Sequence, residues 1–537
     1  MLLALALTSP TGDLIPEGNA TEVEIVALYP NTVHPGNEGE FFVVSVPQRQ
    51  SLAGWVFRDD GRQSAKPPPV VVEGIVAFSH HPELVTDYLD VPVYPLSGWL
   101  QLAVRGETLT VEIDGQPVDT VGYTGPAPRA HLWVRDRSSP WVALGATSFE
   151  PTSDRATVEP FVLPDSPEAV IEVLEGATDR LLLGGYQLGD KAVTDALIDA
   201  ADRGVDVAVH GEGRPVGGID VRYATALDAL ADAEIPVTVH RGPYARYGYH
   251  HPKYAVVDDR VLVTTENFKP SGTGGGASRG WAVVVDSPVL ADALAAVFEA
   301  DTGWRDAVAW ETVRETIARH DQELRVWTYP TMHPPVELDD VTATLVLSPD
   351  NAEEVLIELI DGAARSIHIK QVAIGDADFP LLATAIDRAR AGVTVRVLLA
   401  DRWYVRDDNR ALADELHALA EAEALDLEVA LVDDTPTFDR IHAKGIIIDD
   451  RVAVVGSINW NNHSIRQNRE VAVILEGDDV AVFYRAVFDA DWPSTSTGWQ
   501  LPISLLIAAL AAGSLVIVHA SRLRIEDPEL TPIAEED

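Results

Sequence analysis

Apolar positions along the 537-residue chain change their spacing three times. Between Val23 and about Glu150 they alternate with polar ones in short runs at 23–29, 41–46, 55–57 and 108–113, separated by Gly, Pro and Asn. Alternation of period two between turn residues predicts half-buried strands, and Asp114-Gly115 directly after the last run predicts a tight hairpin. The region 22–150 therefore reads as a small β-sandwich. From about residue 160 the spacing becomes helical. Ser166-Pro167-Glu168 precedes Val170, Ile171, Val173 and Leu174, and Ser348-Pro349-Asp350 precedes Val355, Leu356, Leu359 and Ile360. Each pattern predicts a helix capped by Ser with Pro at its first position. An apolar strand follows each, at 180–183 and 366–369, then a second helix ending in matching turns, Arg203-Gly204-Val205 and Ala391-Gly392-Val393. Strand and helix alternate in this way twice, which predicts two α/β halves, 160–305 and 343–495, with mostly parallel sheets and a linker at 306–342. After Trp499 the run 501–518 is almost free of charge, with Trp492 and Trp499 before it and Arg522 and Arg524 after it. That predicts a transmembrane helix at 501–519, an acidic cytoplasmic tail at 520–537, and everything earlier outside the membrane. The apolar start, within 1–20, resembles a secretory signal that lacks its basic region.

Charge changes this picture less than its size suggests. The net charge of -44 would ordinarily argue against nucleic acid or anionic lipid as a ligand. The acid is spread over the whole chain, however, and Lys is scarce relative to Arg, which resembles the surfaces of proteins from salt-loving archaea. In molar salt the Debye length falls to roughly 3 Å, so charge close to a site matters and the total does not. The absence of Cys excludes disulfides, thiolate catalysis and Cys-based metal sites.

Candidate chemistry concentrates in one stretch and its echo. Residues 440–470 place His442, Lys444 and Asp449 on a turn and an apolar strand, then Gly456, Ser457, Asn459, Ser464, Asn468 and Glu470. A single copy is compatible with an ordinary β-hairpin. The second copy, His251, Lys253 and Asp258 followed by Thr264-Thr265-Glu266-Asn267, removes that explanation. Two imidazoles brought together can divide one displacement at phosphorus into two steps, one acting as nucleophile and the other as general acid and then base. An unperturbed imidazole pKa near about 6.5 suits that exchange. The Lys ammonium groups, with Asn267, Asn459 and Ser457, supply positive charge and donors to phosphoryl oxygens. The scheme needs no cofactor, and His-x-Lys lacks the paired-ligand spacing of a zinc site, so metal-independent activity is expected.

The paired stretches resemble the HxKxxxxD signature of the phospholipase D superfamily over about residues 160–495, with Gly456-Ser457-x-Asn459, Ser464, Asn468 and Glu470 resembling its extended form. The resemblance implies a phosphohistidine intermediate, with His251, Lys253, Asp258, His442, Lys444 and Asp449 as the catalytic set. It implies His251 as nucleophile and His442 as acid, the Asp and Glu residues orienting the imidazoles, and Thr265, Asn267, Ser457, Asn459, Ser464 and Glu470 supporting the phosphate. The copies are unequal. The first has Ser278-Arg279-Gly280 where the second has Asn468-Arg469-Glu470, so its Glu equivalent is expected to be missing, with Thr265 standing in for Ser457. The Gly-rich 271–276 reads as a flexible loop or as an amide cradle for a head group. In the β-region, Glu24-Ile-Val-Ala-Leu-Tyr-Pro30, Gly39-Glu-Phe41, Leu52-Ala-Gly-Trp55 and Val118-Asp-Thr-Val-Gly-Tyr123 resemble a lamin-tail domain.

The expectation is a membrane-anchored phosphodiesterase, its catalytic ectodomain outside the cell, hydrolysing phospholipid or transferring a phosphatidyl group, with no obligate protein partner. Alternatives are an extracellular nuclease of the same superfamily and a non-catalytic surface scaffold.

Overall fold

A computed structural model describes residues 21–493 apart from Arg62, Asp87, Tyr88, Ser138, Ser139 and Gln322. The expected signal segment, the apolar run at 501–519 and the acidic tail lie outside the described residues. Among the described residues no helix is long and apolar enough to cross a membrane.

The alternating N-terminal runs form strands. Glu24–Tyr29, Phe41–Ser51 and Val71–Ser79 belong to a six-stranded sheet, and Trp55–Arg58, Gly106–Ile113 and Gln116–Thr124 to a five-stranded one. Ile25, Phe42 and Phe78 of the first sheet pack against Phe57, Leu109 and Val111 of the second, so the apolar faces meet in a sandwich. Asp114 and Gly115 carry φ of 53° and 78°, the left-handed pair that a two-residue hairpin demands.

The first half runs β1 (Thr152–Leu163), α1 (Glu168–Glu175), β2 (Arg180–Gly185), α2 (Lys191–Asp202), β3 (Asp206–Glu212), α3 (Val221–Asp232), β4 (Val237–His240), β5 (Lys253–Val257), β6 (Arg260–Thr264), β7 (Ser278–Asp286) and α4 (Pro288–Gly303). The second repeats it as β8 (Leu338–Ser348), α5 (Ala352–Asp361), β9 (Ser366–Gln371), α6 (Pro380–Arg390), β10 (Thr394–Ala400), α7 (Arg406–Glu423), β11 (Leu427–Val432), β12 (Gly445–Ile448), β13 (Val452–Gly456), β14 (Glu470–Glu476) and α8 (Asp478–Asp491). All these strands form one continuous sheet, in the order β4-β3-β2-β5-β6-β7-β1-β8-β14-β13-β12-β9-β10-β11. The order is the same in either direction, with β1 and β8 antiparallel neighbours at the centre. The halves are thus pseudo-twofold mates. One apolar cluster spans the seam between α4 and α8, and each half has its own cluster beyond it.

Three expectations are corrected. The sheet is mixed: β2, β3 and β4 are parallel, as are β9, β10 and β11, but the strands nearer the seam pair antiparallel. A short turn can join only antiparallel strands, and β5–β6 and β12–β13 are such hairpins. The helices are not capped by Ser166 and Ser348 either. Pro167 precedes α1 and Asn351 precedes α5, neither with a side-chain cap, and Ser348 ends β8. Finally, the span 306–342 is more than a linker. Ala307–Ala309 adds an edge strand beside β4, Trp310 is fully buried, Arg319–His320 pairs with Ile219–Asp220, and β8 starts at Leu338.

Candidate active site

Lys253 opens β5, and Lys444 stands directly before β12, the equivalent strand of the other half. The His two residues earlier shares the Lys side of an extended chain. Each His is then tied to the opposite half by its backbone. The His251 amide donates to the Arg469 carbonyl at 2.9 Å, and the His442 amide donates to the Arg279 carbonyl at 3.0 Å.

Side chains repeat the exchange. His251 Nδ1 lies 2.8 Å from a Glu470 carboxylate oxygen, and His442 Nδ1 lies 3.0 Å from Glu266 Oε2. Each imidazole of one half is therefore braced by a carboxylate of the other. On the far side of the rings, Lys253 Nζ donates to His251 Nε2 at 2.8 Å and Lys444 Nζ donates to His442 Nε2 at 2.9 Å. These partners assign the proton to Nδ1 and leave the Nε2 lone pair to accept from the Lys ammonium. Both ammonium groups also donate to the carbonyl of their own His, at 2.8 and 3.0 Å. All six side chains are buried. Burial pushes the Glu470 carboxyl upward, but the His251 ring and Lys253 hold it below its ordinary value. Glu266 is held down in the same way, against burial, by His442 and then Lys444. Both carboxylates thus stay ionised and favour a charged imidazole when one forms.

Glu266 overturns the expectation that the first copy lacks its Glu. The Ser457 amide and hydroxyl pair with the backbone of Val471, and the Thr265 amide and hydroxyl pair with the backbone of Trp281. Thr265 is thus the spatial mate of Ser457, Gly280 that of Glu470, and Glu266 that of Ile458. A Cβ on Gly280 would come within 2.3 Å of Glu266 Cγ. The carboxylate has moved from β7 to the loop after β6, and the glycine makes room for it. The sequence signal was Glu266 itself, beside Asn267, but a local match of the two copies sets it against an Ile.

Asp258 and Asp449 are not brought to the imidazoles. Each follows its strand at the end remote from the Lys. The Asp258 carboxylate accepts from the amides of Thr178, Asp179 and Arg180 at 2.8–3.0 Å, and that of Asp449 from Ala364, Arg365 and Ser366 at 2.6–2.8 Å. Their slight burial is outweighed by these amides, which hold both carboxyls below their ordinary value. They fasten the loops before β2 and β9, a structural task.

The supporting residues are divided. Ser464 donates to Glu470, and Asn468 Nδ2 does so at 3.0 Å, fixing the brace of His251. Asn459 lines a cleft with His251 and Ser464, while the carbonyl of buried Asn267 accepts from the amides of Lys269 and Thr273. The 271–276 loop is no amide cradle. The amides of Gly272 and Gly274 donate to the Lys269 carbonyl, those of Gly275 and Gly276 to the Gly272 and Pro270 carbonyls. Behind the site lies an ion network that sequence reasoning did not find. Buried Arg469 joins Asp301 and Asp350, and buried Arg279 joins Asp491 and Asp165, so each half contributes the Arg next to the Glu position.

A cleft of about 450 Å³ reaches His251 between Tyr186, Tyr249, Tyr404, Asn461 and Asn468. The edge of Tyr186 packs on the His251 ring with centroids 4.6 Å apart.

The family described as "Cardiolipin synthase, PLD-like domain" matches residues 170–302 and again residues 356–492, one match for each half. Phospholipase D of Rickettsia conorii is 30% identical over 143 residues, 26% of this chain and 64% of the relative. Phospholipase D of Rickettsia bellii is 28% identical over 142 residues, with the same coverage. The chain thus spans less than two thirds of the length of these curated relatives. Human mitochondrial cardiolipin hydrolase is 36% identical over 52 residues, 10% of this chain and 21% of that protein. Among solved structures, phosphatidylserine synthase of Haemophilus influenzae Rd KW20 superposes with a TM-score of 0.46 at 14% identity, covering 62% of this chain and 86% of that one.

Proposed function

Because the chain belongs to the phospholipase D-like family described as cardiolipin synthase, PLD-like domain, we propose that it is a phosphodiesterase that hydrolyses phospholipid or transfers its phosphatidyl group. The observation that carries this reading is the reciprocal bracing of two buried imidazoles, each with a Lys ammonium at Nε2. In the first step His251 Nε2 attacks phosphorus while protonated His442 gives its Nε2 proton to the leaving alcohol oxygen, so that the P–N bond forms as the P–O bond breaks. In the second, neutral His442 takes a proton from water or an acceptor alcohol, whose oxygen attacks phosphorus and releases His251. Lys253 and Lys444 move from the imidazoles to the phosphoryl oxygens as charge builds there.

Phospholipid is favoured over nucleic acid because the cleft at His251 is lined by Tyr, Asn, His463, Ser464, Asp408 and apolar side chains and by no Lys or Arg. A groove that tracks a polynucleotide needs cations along its length. On this reading the N-terminal sandwich is a lamin-tail-like companion, and 501–519 anchors a catalytic region held outside the membrane.

The test uses the purified full chain in high salt, without and then with a chelator, offered radiolabelled phospholipid and single- and double-stranded DNA, with His442→Ala as control. Release of labelled head group, absent in the variant, is expected. Cleavage of DNA alone would make the protein a nuclease, cleavage of neither would favour a scaffold, and loss of activity on adding chelator would overturn the metal-free scheme.

A further inference from the structure

A second cleft, of about 260 Å³, is lined by Arg440, two residues before His442. It is the pseudo-twofold mate of the cleft at His251. In the first, the Gly375 amide donates to the Trp460 carbonyl at 2.9 Å; in the second, the Gly189 amide donates to the Phe268 carbonyl at 2.8 Å. The residue after each aromatic lines its cleft, as Asn461 in the first and Lys269 in the second. The residue two before each catalytic His does the same, as Tyr249 in the first and Arg440 in the second. Equivalent positions have therefore changed from uncharged hydrogen-bonding groups to cations.

The rest of the lining follows suit. Arg222, Arg325 and Arg402 join Lys269 and Arg440, against the carboxylates of Asp220, Glu323 and Asp439, whereas the first cleft holds one carboxylate, Asp408, and no Lys or Arg. Part of this charge is used internally, since Arg402 pairs with Asp433 and Asp439 and Arg325 with Glu323. Lys269 Nζ instead donates to the neutral Gln187 side chain, which leaves its charge uncompensated by that contact. The excess of cations runs against the strongly acidic composition of the chain as a whole.

Resting on the reading of the site as a phosphodiester centre, we propose that the two clefts take the two arms of an asymmetric diester. The cleft at Lys269 and Arg440 binds an arm bearing a second phosphate, and the cleft at Tyr249 and Asn461 binds an uncharged arm. The scissile phosphorus lies at the imidazoles, on the axis that relates the clefts. Arg and Lys together supply forked and point-charge donors to a terminal phosphate, while Tyr and Asn donate to ester carbonyl oxygens without requiring charge. A polynucleotide, with phosphates in both directions, fits only one of the two.

The probes are dihexanoyl phosphatidylglycerol and dihexanoyl phosphatidylglycerol phosphate, soluble lipids that differ by one terminal phosphate. Binding is measured by calorimetry on the full chain carrying His442→Ala, so that turnover does not interfere. The phosphorylated lipid is expected to bind about tenfold tighter, and adding Lys269→Asn with Arg440→Tyr, each residue exchanged for its mate, is expected to abolish that preference. Arg222→Gln, a milder change, is expected to reduce it about threefold. Equal affinity for the two lipids before substitution, or a preference that survives the exchange in folded protein, overturns the proposal. Failure of the unsubstituted chain to cleave either lipid would count against the phosphodiesterase reading instead, because the binding comparison does not depend on turnover.

Discussion

The two halves brace their imidazoles alike but from different places in the chain. In the second half the carboxylate is Glu470, at the start of β14, and it serves His251; in the first it is Glu266, on the loop after β6, and it serves His442. The equivalent strand position is Gly280, where any Cβ would collide with Glu266, and the equivalent loop position is Ile458. What the duplication retains is a carboxylate at imidazole Nδ1, and either of two backbone positions can supply it. The braces also differ in support. Glu470 is held by Ser464 and Asn468, whereas Glu266 Oε1 is buried without a hydrogen-bond partner among the described residues. The better-secured imidazole is thus His251.

The largest expected effects test whether the imidazoles divide the labour. His251→Ala should abolish turnover and any alkali-stable, acid-labile capture of phosphate on the protein, because no nucleophile remains. His442→Ala should slow turnover by about 10²–10⁴-fold, the range for removing a general acid. If the roles are as assigned, His442→Ala still accumulates phosphate on His251 from substrates with good leaving groups such as 4-nitrophenol, seen by alkaline quench and mass spectrometry. Label on His442 in the His251→Ala protein would reverse the assignment. Lys253→Ala and Lys444→Ala should each cost about 3 kcal/mol of barrier, roughly two orders of magnitude in kcat, as for the loss of one oxyanion donor.

Next in size is the brace itself. Glu266→Gln and Glu470→Gln should each lower kcat by about one to two orders of magnitude and move the pH profile, since a neutral amide no longer favours the charged imidazole. The exchange Glu266→Ile with Gly280→Glu rebuilds in the first half the arrangement of the second. It should recover more activity than Glu266→Ile alone, whereas Gly280→Glu alone should destabilise the fold by crowding Glu266. Absence of recovery in a folded double variant would show that position matters beyond the presence of a carboxylate.

Much of this centre was legible in the sequence because it is local. His-x-Lys on an extended segment needs only period two to place both groups on one side, and two such copies announce a duplicated site. The β-sandwich was legible for the same reason, through alternation and the Asp114-Gly115 turn. Glu266 was not, because its equivalence to Glu470 is set by the pairing of Thr265 with Trp281 and of Ser457 with Val471, across strands and not along them. The first copy also places Asn267 one residue closer to its Asp. That offset resides in the hairpin, where Val257 pairs with Arg260 across two residues and Ile448 with Val452 across three. The repeat was likewise set out of step at Ser166-Pro167 and Ser348-Pro349. The side chains that correspond are Asp165 and Asp350, each held by a buried Arg of its own half, Arg279 and Arg469, a relation that no Ser-Pro match reveals.

Asp258 and Asp449 give the smallest predicted effect, and it separates structural from chemical parts of the signature. Each carboxylate accepts three backbone amides at a loop, much as a cap does, so Asp258→Asn and Asp449→Asn should lower stability by about 1 kcal/mol. Their kcat in folded protein should match that of the parent. The folded pKa of each Asp lies below its unfolded value, so the stabilisation is fully present above the unfolded pKa of about 3.9 and disappears as pH falls through the lower folded value. Denaturation of parent and variant should therefore differ at pH 7 and converge only in strong acid. A pH-independent gap, or a loss of kcat without a loss of stability, would return these two residues to the catalytic set.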